Sequence, residues 1–195
     1  MIRTLFLATA MGLALTSAVY AQTVNTETQR DVNQQQRVEQ GLQSGQLGTG
    51  EAARLENGEA HIDHMQQNAL KYGSLSPAEA ARINKAQNAE SARIYDDKHN
   101  AVAGNPNSAS SQRMQADVQR NVNQQSRINQ GVRSGALTNK ETAHLERGQA
   151  HVDKREARAG RDGHVGPHEQ RRIQTADNHQ SQRIYHQKHD GQTRP

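Results

Sequence analysis

The chain has 195 residues, of which 32% are hydrophobic and 3% aromatic, with no cysteine and a formal net charge of +4. The lack of cysteine excludes a disulfide framework and thiol catalysis. The modest basic excess with few aromatic side chains argues against a nucleic-acid partner, and the scarcity of large apolar residues favours helices over a β-sheet.

The first 21 residues have the pattern of an export signal. Residues 1–3 form a short basic start, residues 5–15 are apolar, and small side chains precede a cleavage point near Ala21. The apolar run is shorter than the roughly 20 residues that a membrane span requires. We therefore predict a cleaved signal over residues 1–21, a periplasmic or secreted protein, and no transmembrane segment in the mature chain.

The rest of the chain is an internal duplication at a spacing of 90 residues. The segment QRDVNQQQR that begins at Gln29 returns as QRNVNQQSR at Gln119, and the copies stay in register without gaps to His99 and His189. About 34 of 72 aligned positions are identical, too many for chance. We predict one repeat over residues 22–99 and another over 118–190. Residues 100–117 join them, and their Gly, Pro, Asn and Ser content is typical of a flexible linker.

Each repeat contains two turns with the pattern Gly-x-Leu/Val-x-x-x-Glu. A glycine in the left-handed conformation ends one helix, and a capping residue with Glu three positions later begins the next. Ser76 with Glu79, and Thr138 with Glu141, are predicted capping boxes. The fold class is thus all-α, as two copies of an elongated three-helix unit. The predicted helices span residues 29–43, 50–71, 77–99, 118–133, 139–161 and 167–189.

The turn pattern resembles the second half of an EF-hand loop, where Glu is the last calcium ligand. Residues such as Leu42 and Tyr72 stand where that loop needs oxygen ligands, so the resemblance is to a degenerate helix–loop–helix without calcium ligands. The chain also resembles uncharacterised proteobacterial exported helical-repeat proteins with GxL(T/S)xxE hairpins, and it is similar to the Spy-type periplasmic chaperones, which carry Leu-Thr-x-x-Gln motifs. These resemblances imply an exported helical protein that acts by binding.

Histidine is the first candidate for site chemistry, because the chain contains ten. Several lie at helical spacing on one face, where they can hold zinc, copper or nickel if a second helix adds ligands. The candidate metal ligands are His61, His64, His151, His179, His186 and His189. The competing interpretation is a solvated polar face, because only two histidine positions recur in both repeats.

A second candidate is the motif Ser-x-Arg-Ile-Tyr-x-x-Lys-His, which ends both repeats. Its cationic and aromatic side chains can bind an anion or a partner protein. The candidate residues are Arg93, Tyr95, Lys98, His99, Arg183, Tyr185, Lys188 and His189. The competing interpretation is local: cations favour the end of a helix, and the Ile and Tyr side chains pack inward.

Common enzyme motifs are missing from the sequence. It has no Gly-x-Ser-x-Gly, no phosphate-binding loop and no His-Glu-x-x-His, and we expect no apolar pocket that excludes water from paired carboxylates. We therefore predict a non-catalytic exported protein that acts by binding or stress protection, without a cofactor, and with an unknown protein or a metal ion as partner. The alternative is a histidine-based transition-metal protein, and calcium binding of the EF-hand type is a third possibility.

Overall fold

The computed structural model describes residues 12–193, with side chains described from residue 23 onward. Those residues form six helices and no strand, which confirms the predicted all-α class. The helices are α1 (Gly12–Ser44), α2 (Thr49–Leu70), α3 (Pro77–Lys98), α4 (Ala109–Ser134), α5 (Asn139–Ala159) and α6 (Pro167–Lys188).

Two helices begin earlier than the sequence predicts. The predicted export signal lies outside the described residues, except that the backbone of residues 12–21 belongs to α1. Helix α4 begins at Ala109 and not at residue 118, because Ser108 caps it: the Ser108 hydroxyl accepts the N–H of Ser111 at 3.1 Å. Burial of Met114 in the first turns gives this extension a packing partner in the core.

The four predicted turns are present, and their glycines have the left-handed conformation, with φ between 76° and 87°. The Glu three residues after each cap accepts a hydrogen bond from the backbone N–H of the cap residue, as predicted. Glu79 accepts the N–H of Ser76 at 2.9 Å, and Glu141 accepts that of Thr138 at 2.7 Å. Glu51 and Glu169 do the same at the caps formed by glycines 48 and 166.

Replacing Thr138 by alanine tests the contribution of one cap. The Thr138 hydroxyl accepts the N–H of Glu141 at 3.3 Å, so we expect T138A to lower the free energy of unfolding by about 1 kcal/mol, measured by urea titration. The control is Asn123→Ala at an exposed position of α4, for which we expect a change within about 0.5 kcal/mol. Equal stabilities of the two variants would show that the cap contributes nothing.

The helices of the two halves pack on each other. Helix α2 packs most extensively on α5, and α1 on α4, while α3 lies against α1 and α2, and α6 against α4 and α5. The arrangement is a central group of four helices, with α3 and α6 packed against it from outside. The described helices do not reach the combination of length and apolar character that a bilayer span requires.

The apolar core is divided into two clusters, each built from both halves of the chain. One cluster contains Leu55 near the start of α2 and Ala159 at the end of α5. The other contains Leu70 at the end of α2 and Leu145 near the start of α5. Helices α2 and α5 therefore run antiparallel between the two clusters. Their middle turns lie between the clusters, where the buried side chains are polar.

The segment between α3 and α4 is held against the turn that joins α1 to α2. The N–H of Gly104 donates to the carbonyl of Gly45 at 2.8 Å, and Asn100 donates to Glu51 at 2.8 Å. Gly104 approaches the Leu47 carbonyl so closely that a β-carbon would overlap it. These contacts hold this part of the predicted linker against the bundle.

Candidate functional site

The middle of the bundle is lined by carboxyl groups from α2 and α5. At spacings of three and four residues these side chains share the inner face of each helix. None is more than 1% exposed. We call this set the interior carboxyl cluster: Glu56, Glu59, Asp63, Glu146, Asp153 and Glu156.

The interior carboxyl cluster has no cationic partner among the described residues, where the ion pairs involve other acids. Burial, opposed by hydrogen bonds, raises the pKa of Glu56 to about 7. Burial and then the neighbouring carboxylates hold the pKa values of the other five well above their usual range. An unpaired buried carboxylate costs several kcal/mol, so these groups must be neutralised by protons or by cations.

Further carboxyl groups flank the cluster and differ from it by having arginine neighbours. Burial, and then Asp31, raises the pKa of Glu27 to about 8, although Arg30 opposes the shift. Burial, and then Asp177, likewise raises the pKa of Asp117 to about 8 against the effect of Arg120. Arginine therefore compensates the acids that flank the interior carboxyl cluster and not the six acids of the cluster itself.

Acid and amide side chains exchange places between the two repeats. In the first repeat Gln66 and Gln87 donate to the carboxylate of Asp31 at 2.8 and 2.7 Å. At a spacing of 90, the second repeat has Asn121 in place of Asp31, and Glu156 in place of Gln66. The direction of the hydrogen bond is reversed, because Asn121 donates to Glu156 at 2.6 Å. The exchange keeps an acid opposite an amide in both halves.

Three members of the cluster converge on one point. Oxygen atoms of Glu56, Asp153 and Glu156 lie within 4.8 Å of one another. The amide nitrogen of Asn121 lies 3.5 Å from Glu56, 3.2 Å from Asp153 and 2.6 Å from Glu156. Gln149 donates to the Asn121 oxygen at 3.0 Å. We call this group the Asn121 site.

Each of these three carboxyls has a second oxygen without a hydrogen-bond partner in the described part of the chain: Glu56 Oε1, Asp153 Oδ2 and Glu156 Oε1. Both oxygens of Glu59 are also unpartnered, and the Glu59 carboxyl interacts electrostatically with Glu56 and Asp153. Carboxylate and amide oxygens are the ligands that Mg²⁺, Ca²⁺ and Mn²⁺ prefer. The three carboxylates are ligands of this type, while Asn121 presents its N–H group, and not its oxygen, to them.

The histidines proposed as metal ligands do not form such a group. All six are exposed, and among the described residues the three converging metal-ligating side chains are interior acids and include no histidine. The six are His61, His64, His151, His179, His186 and His189. The helices that bring ligands together are α2 and α5, through their inner faces, whereas these histidines lie on the outside.

The motif that ends each repeat forms a local structure at the ends of α3 and α6. The His99 ring stacks on Tyr95 at 4.1 Å and its Nδ1 contacts the Tyr95 carbonyl at 2.7 Å. His189 and Tyr185 do the same at 4.3 and 2.7 Å. The prediction that the tyrosines pack inward is wrong, since they are 57% and 55% exposed. The isoleucines beside them are buried.

The cationic members of that motif have different environments. Arg93 pairs with Glu90 at 2.8 Å, and Arg183, its counterpart in the second repeat, is exposed. Lys98 and Lys188 are half-buried, and burial lowers the pKa of each. A cleft of about 850 Å³ lies between α2, α3 and α5. Its charged lining residues are Arg54, Arg93, Asp96, Asp97, Lys154, Arg158 and Arg161.

The interior carboxyl cluster is the feature that the sequence interpretation missed. The sequence predicts no apolar pocket around paired carboxylates, and the acids are instead buried among other polar side chains between α2 and α5. A signal was present: α2 carries acid or amide residues at positions 56, 59, 63 and 66, and α5 carries them at the corresponding positions 146, 149, 153 and 156. The recurrence of acid and amide residues at these positions, 90 residues apart, indicates a shared environment.

Comparison with models of protein families, with curated proteins and with solved structures finds no match for this chain.

Proposed function

We propose that the protein is a non-catalytic, exported binding protein, and that its ligand is an oxygen-preferring metal cation held inside the bundle. The observation that carries this proposal is the convergence of Glu56, Asp153 and Glu156 on the Asn121 amide. Three acids around one donor, without a neighbouring Lys, Arg or His among the described residues, form an environment that a multivalent cation stabilises.

The proposal includes the two-repeat architecture. Two three-helix units, over residues 22–99 and 118–190, are inferred from the spacing of 90 residues. What supports them is the matched packing of α3 on α1 and α2, and of α6 on α4 and α5. The antiparallel pairing of α2 with α5 brings the acids of one unit against those of the other. The cation site is thus a product of the association of the two units.

A half-turn of two carboxamide groups completes the ligand set. If the Asn121 carboxamide turns over, its oxygen replaces its nitrogen among the three carboxylates. Gln149 can turn with it, because the Gln149 Oε1 has no hydrogen-bond partner in the described chain and can then accept from Asn121. The result is four protein oxygen ligands in a water-poor interior. Ca²⁺ fits such a site better than Mg²⁺, which dehydrates reluctantly.

Isothermal titration calorimetry of the full-length protein with Ca²⁺ tests the proposal. We expect saturable binding by the wild type and loss of the heat of the Asn121 site in E156Q. Gln66 is the counterpart of Glu156 in the first repeat, so the variant side chain is one that this fold accommodates.

Thermal melting gives a second measurement of binding. Because the site is buried, the protein is incubated with Ca²⁺ overnight before it is melted. A ligand at 100 times its Kd should add about 2.7 kcal/mol to stability.

The matched control is His186→Ala on the outside of α6, with Zn²⁺ as the comparison metal. We expect H186A to bind Ca²⁺ as the wild type does. The proposal is wrong if Ca²⁺ gives neither heat nor stabilisation, or if E156Q binds Ca²⁺ unchanged while circular dichroism shows it to be folded. Zn²⁺ binding that disappears in H186A would favour the histidine alternative.

A further inference from the structure

The cleft between α2, α3 and α5 has a positively charged lining, and we call it the cationic cleft. Its charged residues are two acids, Asp96 and Asp97, and five cations, Arg54, Arg93, Lys154, Arg158 and Arg161. Its volume of about 850 Å³ is typical of a site for a small molecule. Because the cations outnumber the acids, the cleft attracts a ligand with several negative charges.

The cations that α5 contributes to the cleft are not neutralised within the protein. Arg54 and Arg93 lie 3.9 and 2.8 Å from acidic partners on their own helices. Lys154, Arg158 and Arg161 take part in none of the ion pairs of the described residues. Lys154 is half-buried and the two arginines are exposed. These three side chains are therefore available to an anion that enters from solvent.

A histidine on the outer side of α5 reports the same positive electrostatic environment. His151 lies one turn before Arg155 and is exposed. Burial of part of its ring, and then four neighbouring cations, lower the pKa of His151, the cations being Arg147, Lys154, Arg183 and Arg155. An environment that disfavours a further positive charge favours a negative one.

The helical fold does not require these cations. Helix α2 is the counterpart of α5 in the first repeat, and it has His64 and Asn68 where α5 has Lys154 and Arg158. Both helices form and pack against each other without these positions being alike. Cations near a helix C-terminus are favourable, but α2 ends without Arg at position 68. The basic side chains are thus a property of one repeat and not of the shared architecture.

We infer that the cationic cleft binds a small, soluble oligophosphate anion. Four of its five cations are arginine, and a guanidinium group donates paired hydrogen bonds to phosphate oxygens. A phosphate group carries up to about two negative charges, whereas a carboxylate carries one, so an oligophosphate neutralises the cleft within a small volume. This inference is independent of the proposed cation site, because α5 presents its acids to the interior and these cations to the cleft.

Isothermal titration calorimetry of the full-length protein with tripolyphosphate tests this inference. The buffer is at about pH 8 and contains no divalent metal ions, since oligophosphates chelate them. The variant Lys154→His with Arg158→Asn carries the side chains of the first repeat at both positions. We expect saturable binding by the wild type and an affinity at least about tenfold lower for the variant, because it loses charge-assisted hydrogen bonds.

The matched control is Arg133→Asn, which removes an exposed arginine at the end of α4, away from the cleft. We expect R133N to bind tripolyphosphate as the wild type does. Circular dichroism establishes that each variant is folded, and Arg161→Gln in the exposed turn after α5 replaces the double variant if that one is not. Unchanged Ca²⁺ binding by the cleft variant separates this inference from the proposed function.

Four results would overturn the inference. They are no heat with tripolyphosphate, unchanged affinity in a folded cleft variant, an equal loss of affinity in R133N, and citrate binding as tight as that of tripolyphosphate. Sedimentation with phosphatidylglycerol vesicles distinguishes a soluble ligand from a lipid headgroup. Vesicles that sediment the wild type and not the cleft variant, without binding of tripolyphosphate, would assign the cations to a membrane surface instead.

Discussion

Raising the pH from about 5 to about 8 in the presence of a chelator is expected to destabilise the protein by several kcal/mol. Burial raises the pKa values of Glu27 and Asp117 to about 8 in the folded protein, whereas in the unfolded chain carboxyls titrate near 4. The stabilisation that these protonated groups give the folded protein is complete below about pH 4. It is lost as the pH rises from about 4, the pKa in the unfolded chain, through about 8, the pKa in the folded protein. Each group contributes a slope of about 1.4 kcal/mol per pH unit in that window.

Urea titrations at a series of pH values measure this dependence, and Glu59→Gln is the matched variant. Gln149 is the counterpart of Glu59, and Glu59 is buried with a pKa raised by burial and by neighbouring acids. We expect E59Q to be more stable than the wild type at pH 8 and to have a shallower pH dependence. Gln149→Glu should do the reverse. A wild-type stability that increases between pH 5 and 8 would contradict the burial of uncompensated acids.

Exchanging an acid and an amide in the first repeat is expected to show strong energetic coupling. D31N removes the carboxylate that accepts from Gln66, and Q66E places a second acid beside Asp31. Each change alone should lower the free energy of unfolding by about 1–3 kcal/mol. The double variant D31N/Q66E reproduces the arrangement of Asn121 and Glu156 in the second repeat, so we expect it to recover much of that loss.

The readout is a double-mutant cycle from urea titrations at neutral pH, with a coupling energy of about 1–3 kcal/mol. The control cycle combines D31N with T138A, which changes a distant cap, and should be additive within about 0.5 kcal/mol. Additive effects of D31N and Q66E would show that the opposed acid and amide side chains do not act as a pair.

The parts of the fold that the sequence predicts are those governed by local interactions. The left-handed glycines and the capping Glu residues involve neighbours three residues apart, so the bounds of α2, α3, α5 and α6 agree with the predictions to within two residues. The start of α4 differs from the prediction because the cap residue Ser108 lies within a Gly- and Asn-rich stretch that has little apolar sequence around it. The described part of α1 extends back into residues 12–21, which the sequence predicts as part of the export signal.

The candidate site could not be found in this way, because its burial depends on a contact between distant helices. Glu56 and Asp153 are typical surface residues when α2 and α5 are considered separately. They become interior residues only when the two helices pack face to face. The six candidate histidines have the helical spacing that the sequence predicts and lie on exposed helix faces. Spacing within one helix does not determine which face other helices cover.

The exchange of Asp31 with Asn121, and of Gln66 with Glu156, has a consequence for how such an interior can arise. In an assembly of two identical subunits every substitution occurs twice, so an acid introduced on one side is also introduced on the other. Covalent fusion of two ancestral subunits removes that constraint and allows one side to change alone. Paired acid and amide substitutions of this kind are therefore possible in a single chain with two repeats and not in a homodimer.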